Sequence, residues 1–234
     1  MRPYIVINGT SSRQVEGLII QSLPPITKPK MRISAEEIDG KDGDVVTKLG
    51  YSAYDKALTI GLKGDFNVDD VISFFETSGK VIFSTEPDKY YNFAMYNGID
   101  FNRLIRFRTA TVNLHVQPFK HSAVEPVLTV NNSENVVTIP VRNTGNTESR
   151  PKFSITGSGV IGLYINNVQI LSMTLSSGQT VIIEDMNAKD SAGNFLNRQI
   201  SGDYDKLTLQ SGINSIKVTG NATKIEIDRY SRWI

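Results

Sequence analysis

The closest approach to a cofactor motif in this chain is Gly157-Ser158-Gly159-Val160-Ile161-Gly162, which matches the dinucleotide fingerprint G-x-G-x-x-G. That motif works between a strand and a helix, where backbone N–H groups at the helix N-terminus converge on a pyrophosphate. Here Leu163-Tyr164-Ile165 follows, strand-like, and leads into Asn166-Asn167, so the run reads as a glycine hairpin turn. Ser78-Gly79-Lys80-Val81 is no phosphate loop either, because the Ser/Thr after the lysine is missing and Phe74 replaces the first glycine. Asp39, Asp42 and Asp44 have the chemistry of calcium ligands. An EF-hand register from Asp39, however, sets Lys41 at the third position and Gly50 where the bidentate glutamate belongs. They read as solvated turn acids.

The nucleophiles and metal ligands are equally sparse. The chain has no cysteine, which removes thiol catalysis, thiolate metal sites and disulfides, and its two histidines, His115 and His121, have no third ligand spaced to join them. No G-x-S-x-G elbow occurs, and nothing singles out a carboxylate pair. No catalytic residue, metal or cofactor is expected, and the chain is read as a non-enzyme. Arg103, Arg106 and Arg108 interleave with Phe107 and read as the solvated side of an alternating strand. With a net charge of only +1 there is no footprint for gripping nucleic acid. Tyr164, Phe195, Tyr204 and Trp233 are the aromatics able to stack on sugar rings, though core packing and interface anchoring are commoner fates.

The elements that would carry these residues are mostly strands. At 234 residues, 39% apolar and 21% charged, the chain is long enough for two ordinary folded domains, and no run suits a membrane span. The start, Met1 to Gly9, has too few apolar residues for a signal peptide and reads as a strand ending in a turn, consistent with synthesis in a reducing cytoplasm. Leu23-Pro24-Pro25-Ile26 and Pro29 form an extended lead-in that cannot be helix or central strand. Met31, Ile33 and Ala35 then alternate with Arg32, Ser34 and Glu36, two Asp-Gly pairs turn the chain, and Val45, Val46 and Leu49 return. This is a projecting hairpin with an acidic tip. One helix is expected between Gly64 and Gly79, with Val68, Val71, Ile72 and Phe75 on one stripe, Asn67 as its N-cap and Gly79 as its stop. Short strands follow at 80–83 and 90–95, and a long one from Leu104 to Phe119. From Asn135 onward, short β-branched runs bracketed by turn residues indicate a β-sandwich; the end reads as a hairpin turning at Gly220-Asn221. Residues 123–134 read as a linker between domains at 1–122 and 135–234.

Several of these stretches together resemble the distal tail protein (Dit) family of long-tailed, non-contractile phages. They are the proline-rich lead-in with R-x-x-x-E-E-I-x-G-x-D-G at 32–43, Gly50-Tyr51, and Pro118-Phe119-Lys120 at the end of the first half. In the second half they are N-T-G-N-x-x-x-x-P at 143–151 and G-I-N-S-I at 212–216. The resemblance implies a mainly β fold. An N-terminal ring-forming, tail-tube-like sandwich or barrel with one short helix and a projecting hairpin would precede a galectin-like C-terminal β-sandwich. It implies a structural virion protein at the distal end of the tail, assembled in the host cytoplasm. Six copies would form a ring hub joining the tail tube to the baseplate or host-adhesion device. The partners implied are further copies of the chain, the tail tube protein, a tail-tip protein and a receptor-binding protein, with neither membrane nor sequence-specific nucleic acid among them. The hairpin residues Asp39, Lys41, Asp42 and Asp44 are the candidate oligomer contact. The alternative from a different class is a carbohydrate-binding module touching the host cell surface.

Overall fold

The structure, a computed structural model, describes residues 2–96 and 98–234. The chain divides into two compact units, the first ending at Ala123 and the second spanning Val124–Trp233. Both are built from antiparallel strands. This agrees with the mainly β expectation and follows from the period-two apolar patterning.

The first unit contains β1 (Ile5–Ile7), β2 (Thr10–Ser11), β3 (Leu18–Ser22), β4 (Met31–Glu37), β5 (Asp44–Tyr51), β6 (Tyr54–Leu62), α1 (Val68–Phe75), β7 (Gly79–Phe83), β8 (Lys89–Ala94), α2 (Phe101–Phe107) and β9 (Thr109–Ser122). Its main sheet runs β2-β1-β7-β8-β9-β6-β3, while β4 and β5 pair with each other as a separate ribbon. The strand β9 spans both halves of the main sheet, pairing with β6 through its first half and β8 through its second. Ile5, Leu58, Ile60, Val112 and Leu114 line the core together with Val71 and Phe75 of α1 and Leu104 of α2.

The helix α1 matches its sequence signals closely. The Asn67 side chain accepts from the Asp69 N–H at 2.9 Å, and Asp69 and Asp70 lie in the first turn, at the positive end of the helix dipole. Of the predicted stripe, Val71 and Phe75 are buried and are joined by Phe74, while Val68 and Ile72 are only half-buried; each fully buried side chain contributes about 1.5–3 kcal/mol. Gly79 does not stop the helix, which ends at Phe75. It opens β7 instead, where an added Cβ would collide with the Asn8 side chain that accepts from the Lys80 N–H.

One predicted element changes type. Residues 101–107 form the helix α2 and not the start of a strand, so the unit has two helices where one was expected, and β9 begins only at Thr109. Asp100 caps α2 by accepting from the Arg103 N–H at 2.8 Å, and Leu104 is its buried anchor.

The second unit contains β10 (Leu128–Asn131), β11 (Val136–Asn143), β12 (Lys152–Ile165), β13 (Val168–Glu184), β14 (Asn187–Lys189), β15 (Ile200–Gly202), β16 (Gly212–Asp228) and the short β17 (Arg232–Trp233). The stretch read as a linker thus carries β10. Three strands are far longer than the sequence suggested, and three predicted turns lie inside them. Gly157-Ser158-Gly159 is a bend within β12, Ser177-Gly178 one within β13, and Gly220-Asn221 one within β16; none is a hairpin turn. The bends coincide. The register between β12 and β13 shifts at Gly157/Gly159, leaving Ser176 to Gly178 as a bulge, and that between β12 and β16 shifts at Ser158/Gly162.

The bends turn one sheet into two leaves. Before the bend, β16 pairs with β11 and with the second half of β12, which pairs with the first half of β13 and, through it, β15. After it, β16 pairs with β10 and the first half of β12, and the chain of pairs ends at β14. Inward parity along β16 switches from even (Ile216, Val218) to odd (Ile225, Ile227), and apolar side chains of both leaves meet in one core. That is the expected β-sandwich, made by strands that change leaf.

Glycine is required at the bend because backbones approach there. Gly220 has φ +91°, and an added Cβ would strike the Val160 carbonyl; one on Gly157 would strike the Asn221 carbonyl. Gly178 has φ +70° but faces open space. Gly178→Ala should therefore cost about 1 kcal/mol, the left-handed backbone penalty alone. Gly220→Ala should cost about 3 kcal/mol or more, since backbone must move. Urea unfolding of the two variants checks this, and equal losses would mean that close approach does not set the bend.

Candidate functional site

The ribbon β4–β5 brings the four sequence-predicted residues to one place. Asp39, Lys41 and Asp42 lie in the loop 38–43 and Asp44 opens β5; all four are exposed. The Lys41 N–H donates to the Ile38 carbonyl at 3.0 Å, closing a turn with Gly40 at φ +80°, and Gly43 at φ +77° feeds the return strand. Eight residues of β5 give the ribbon a reach of about 25 Å. No residue of β4 or β5 is fully buried, and Ile33, Ile38, Val46 and Leu49 are each more than half exposed. Ala35 faces Val46 across the ribbon and Ile33 faces Lys48, so one face carries uncovered apolar side chains together with a lysine.

The ribbon is polarised along its length. Near its base stand Lys28, Lys30, Arg32 and Lys48; from Glu36 to Asp44 stand five carboxylates and one lysine. Among the described residues none of those carboxylates lies in an ion pair.

A two-stranded ribbon is marginal on its own, so its base must be clamped. The Ser52 N–H donates to the Lys30 carbonyl at 2.9 Å, and the Tyr51 ring meets Phe119 of β9 edge-on at 5.6 Å. The proline-rich lead-in is tied to β6 by Tyr54, whose hydroxyl donates to the Thr27 carbonyl at 3.3 Å, and by Lys56, whose Nζ donates to the Pro25 carbonyl at 2.9 Å. Lys56 is 3% exposed. Its ammonium lies 5.1 Å from the Tyr91 ring centre and 5.3 Å from that of Tyr54. Nearby, Lys120 Nζ bridges both oxygens of Glu86 at 2.9 and 3.2 Å. Burial holds the Lys56 pKa below the usual lysine value, the positive Lys120 adds to this, and Glu86 opposes it. Burial, with a hydrogen bond to Tyr54, pushes the Tyr91 phenol well above its ordinary value.

The other sequence-predicted groups stay apart from the ribbon's tip. His115 Nδ1 is paired with Asp55 at 2.7 Å, while His121 stacks on Tyr90 at 5.4 Å. Among the described residues no three His, Cys, Asp or Glu side chains converge as a metal site. In the second unit the Lys217 ammonium lies 4.4 Å from the Tyr164 ring centre and that of Lys189 4.9 Å from the Phe195 ring centre, so each ring carries a cation on one face, and Phe195 is otherwise exposed. Tyr204 packs against the core. The motifs at 143–146 and 212–216 are loop staples. Asn143 Nδ2 donates to the Thr147 and Leu209 carbonyls, and Asn214 Nδ2 to those of Gln210 and Gly212.

The sequence reading missed the exposed face of α2. Arg103, Arg106 and Phe107, with Asp100 and Asn102, line a hollow of about 540 Å³, and Phe107 is 62% exposed. The signal was Asp100 followed by Phe101, Leu104 and Ile105 at helical spacing, masked by the alternation Arg106-Phe107-Arg108-Thr109.

The fold matches known structures along nearly the whole chain. The crystal structure of the phage SPP1 Dit protein, described as a paradigm of the hub adsorption apparatus in phages infecting Gram-positive bacteria, superposes with a TM-score of 0.64. The match covers 97% of this chain and 99% of that one, at 17% identity. The fold is that of a phage Dit protein. Chains of the phage p2 baseplate in its activated conformation, with strontium and with calcium, each match with a TM-score of 0.50 and 10% identity, over 97% of this chain and 96% of theirs. No protein-family model matches the sequence, and no curated protein matches it.

Lys56 yields a prediction about the clamp. Because its folded pKa lies below the unfolded one, the unfolded chain binds more protons between the two values, and stability rises with pH across that window. Comparing wild type with Lys56→Met from pH 7 to pH 10 should show the difference in unfolding free energy moving steadily in favour of wild type. A pH-independent difference would show that Lys56 is not held below its usual value.

Proposed function

We propose that the chain is a structural virion protein, the hub at the distal end of a phage tail, and acts by assembly and not by catalysis. Six copies close into a ring that joins the tail tube to the baseplate or host-adhesion device. The first unit builds the ring, and the second, a galectin-like sandwich, is carried on it. Tail tube, tail-tip and receptor-binding proteins are its partners, and it assembles in the host cytoplasm. The observation that carries this reading is the end-to-end fold match to the SPP1 Dit protein. The uncovered ribbon supports it, because a two-stranded element with an apolar face and unpaired charges at its tip gains from a second surface. Each protomer then offers unlike surfaces to its two neighbours, a heterologous contact that closes under cyclic symmetry.

Light scattering with negative-stain imaging of the same peak tests the reading. The expected mass is six times 25.9 kDa, or twice that for a doubled ring, with a central hole. A strict monomer up to millimolar concentration would overturn the self-assembling ring. Removing Asp39–Asp44 should leave a folded monomer, and a truncated protein that still forms rings would show that the ribbon tip is not the contact.

A further inference from the structure

We infer that the ribbon tip of one protomer docks on the α2 face of the next, with Ile38 entering the hollow beside Phe107 and the flanking carboxylates facing Arg103 and Arg106. This deepens the ring reading and rests on it.

The two surfaces complement each other in three respects. The first is charge. The segment 36–44 carries Glu36, Glu37, Asp39, Asp42 and Asp44 against Lys41, and α2 with its C-cap carries Arg103, Arg106 and Arg108 against the capping Asp100. In the single protomer neither set is satisfied by the other or by any opposite charge among the described residues. Second is shape and polarity. Ile38 stands 51% exposed between two acids on a closed turn, and the hollow pairs Phe107, which is 62% exposed and has the Arg106 guanidinium over one face at 5.3 Å from its ring centre, with Arg103 one helical turn away. An apolar knob in a ring of acid thus meets an apolar wall flanked by base.

The third respect is preorganisation. Arg108 closes α2 in the left-handed region at φ +57°, unusual for arginine. It is held there by its guanidinium over the Phe66 ring at 4.5 Å and by its carbonyl, which accepts from the Leu62 N–H at 3.2 Å. That closure fixes the end of α2 on β6 and so orients the Arg103–Arg106 face. Because tip and face are different surfaces present once per protomer, their pairing propagates in one direction, the kind of contact that a closed ring requires. Exposed ion pairs are individually weak, so they serve mainly to select register and partner, and the contact should weaken with salt.

The absence of native cysteine makes a direct test clean. Full-length Asp42→Cys and Arg106→Cys proteins, mildly oxidised, should each remain monomeric on a non-reducing gel. Their mixture should give dimers, and the double variant a ladder ending at the ring. Rings of native mass that give neither mixed dimers nor a ladder would overturn the docking. As a second arm, Arg103→Glu with Arg106→Glu should raise the concentration needed for assembly about tenfold or more, and adding Asp39→Arg with Asp42→Arg to the same chain should restore it. Three other outcomes each overturn something different. Rings lost on removing Asp39–Asp44 but indifferent to the arginine reversal would overturn this docking alone. Rings that survive the removal would overturn the ribbon contact itself. An arginine-reversed protein that assembles normally but loses salt-sensitive binding to a double-stranded DNA oligomer would assign the α2 face to nucleic acid instead.

Discussion

The hydrogen bond from the buried Lys56 ammonium to the Pro25 carbonyl governs how the first unit can present its ribbon. The lead-in from Leu23 to Lys30 cannot join a sheet, because its prolines lack N–H groups. Its carbonyls are therefore free, and Pro25 gives one of them to a cation from the adjacent strand β6. Burying that cation beside Lys120 is unfavourable, which the depressed pKa of Lys56 records; Glu86 and the faces of two tyrosines offset part of the cost. A charge retained at a loss inside a β core suggests positional specificity more than stability. Lys56 and Tyr54 fix the path of the lead-in, the lead-in fixes the base of the ribbon, and a displacement at the base is magnified over some 25 Å of strand.

The second unit meets the opposite problem, too much strand rather than too little support. Three strands of 14 to 17 residues cannot stay flat and bury one face each. The coincident bends at Gly157–Gly159, Ser176–Gly178 and Gly220–Asn221 let all three cross from one leaf to the other at the same level. Every leaf therefore shares its central strands with its partner, the ladders shifting register at the bend, around one core that contains Phe153, Ile161, Leu171 and Ile225. Substitutions at the bend should act on both leaves together, because no hinge separates them.

Much of this was readable from residues, and the failures share a cause. The helix α1 was legible because cap, dipole and apolar stripe agree on one period. The ribbon was legible because its alternation is interrupted only by Asp-Gly pairs. Glycine-rich breaks in the second unit were seen correctly as breaks, but a turn and a bend have the same composition. What separates them is whether the flanking strands pair with each other or keep the same neighbours, and that information is tertiary. The helix α2 was hidden because two periodicities overlap in Leu104-Ile105-Arg106-Phe107-Arg108-Thr109, and only the burial of Leu104 selects the helical one. The candidate contact was half legible for the same reason. Its acidic tip is local in sequence, whereas its basic face exists only once α2 is a helix.

A contact built from few, exposed charges would be a poor basis for a stable dimer, since surface pairs contribute about 0–1 kcal/mol each. A ring changes the arithmetic. The final protomer of a closed ring makes two contacts at once, the second at the high effective concentration set by the geometry of the others. Weak junctions thereby suffice once the circle closes, while open chains of two or three remain labile and can correct errors. In the proposed ring this would tie the junction to the clamp at the ribbon's base, because effective concentration is high only if each tip is already aimed at the neighbouring α2. Loosening Lys56 or Tyr54 would leave both contact surfaces intact and still cost assembly, through the lost alignment of the ribbon alone.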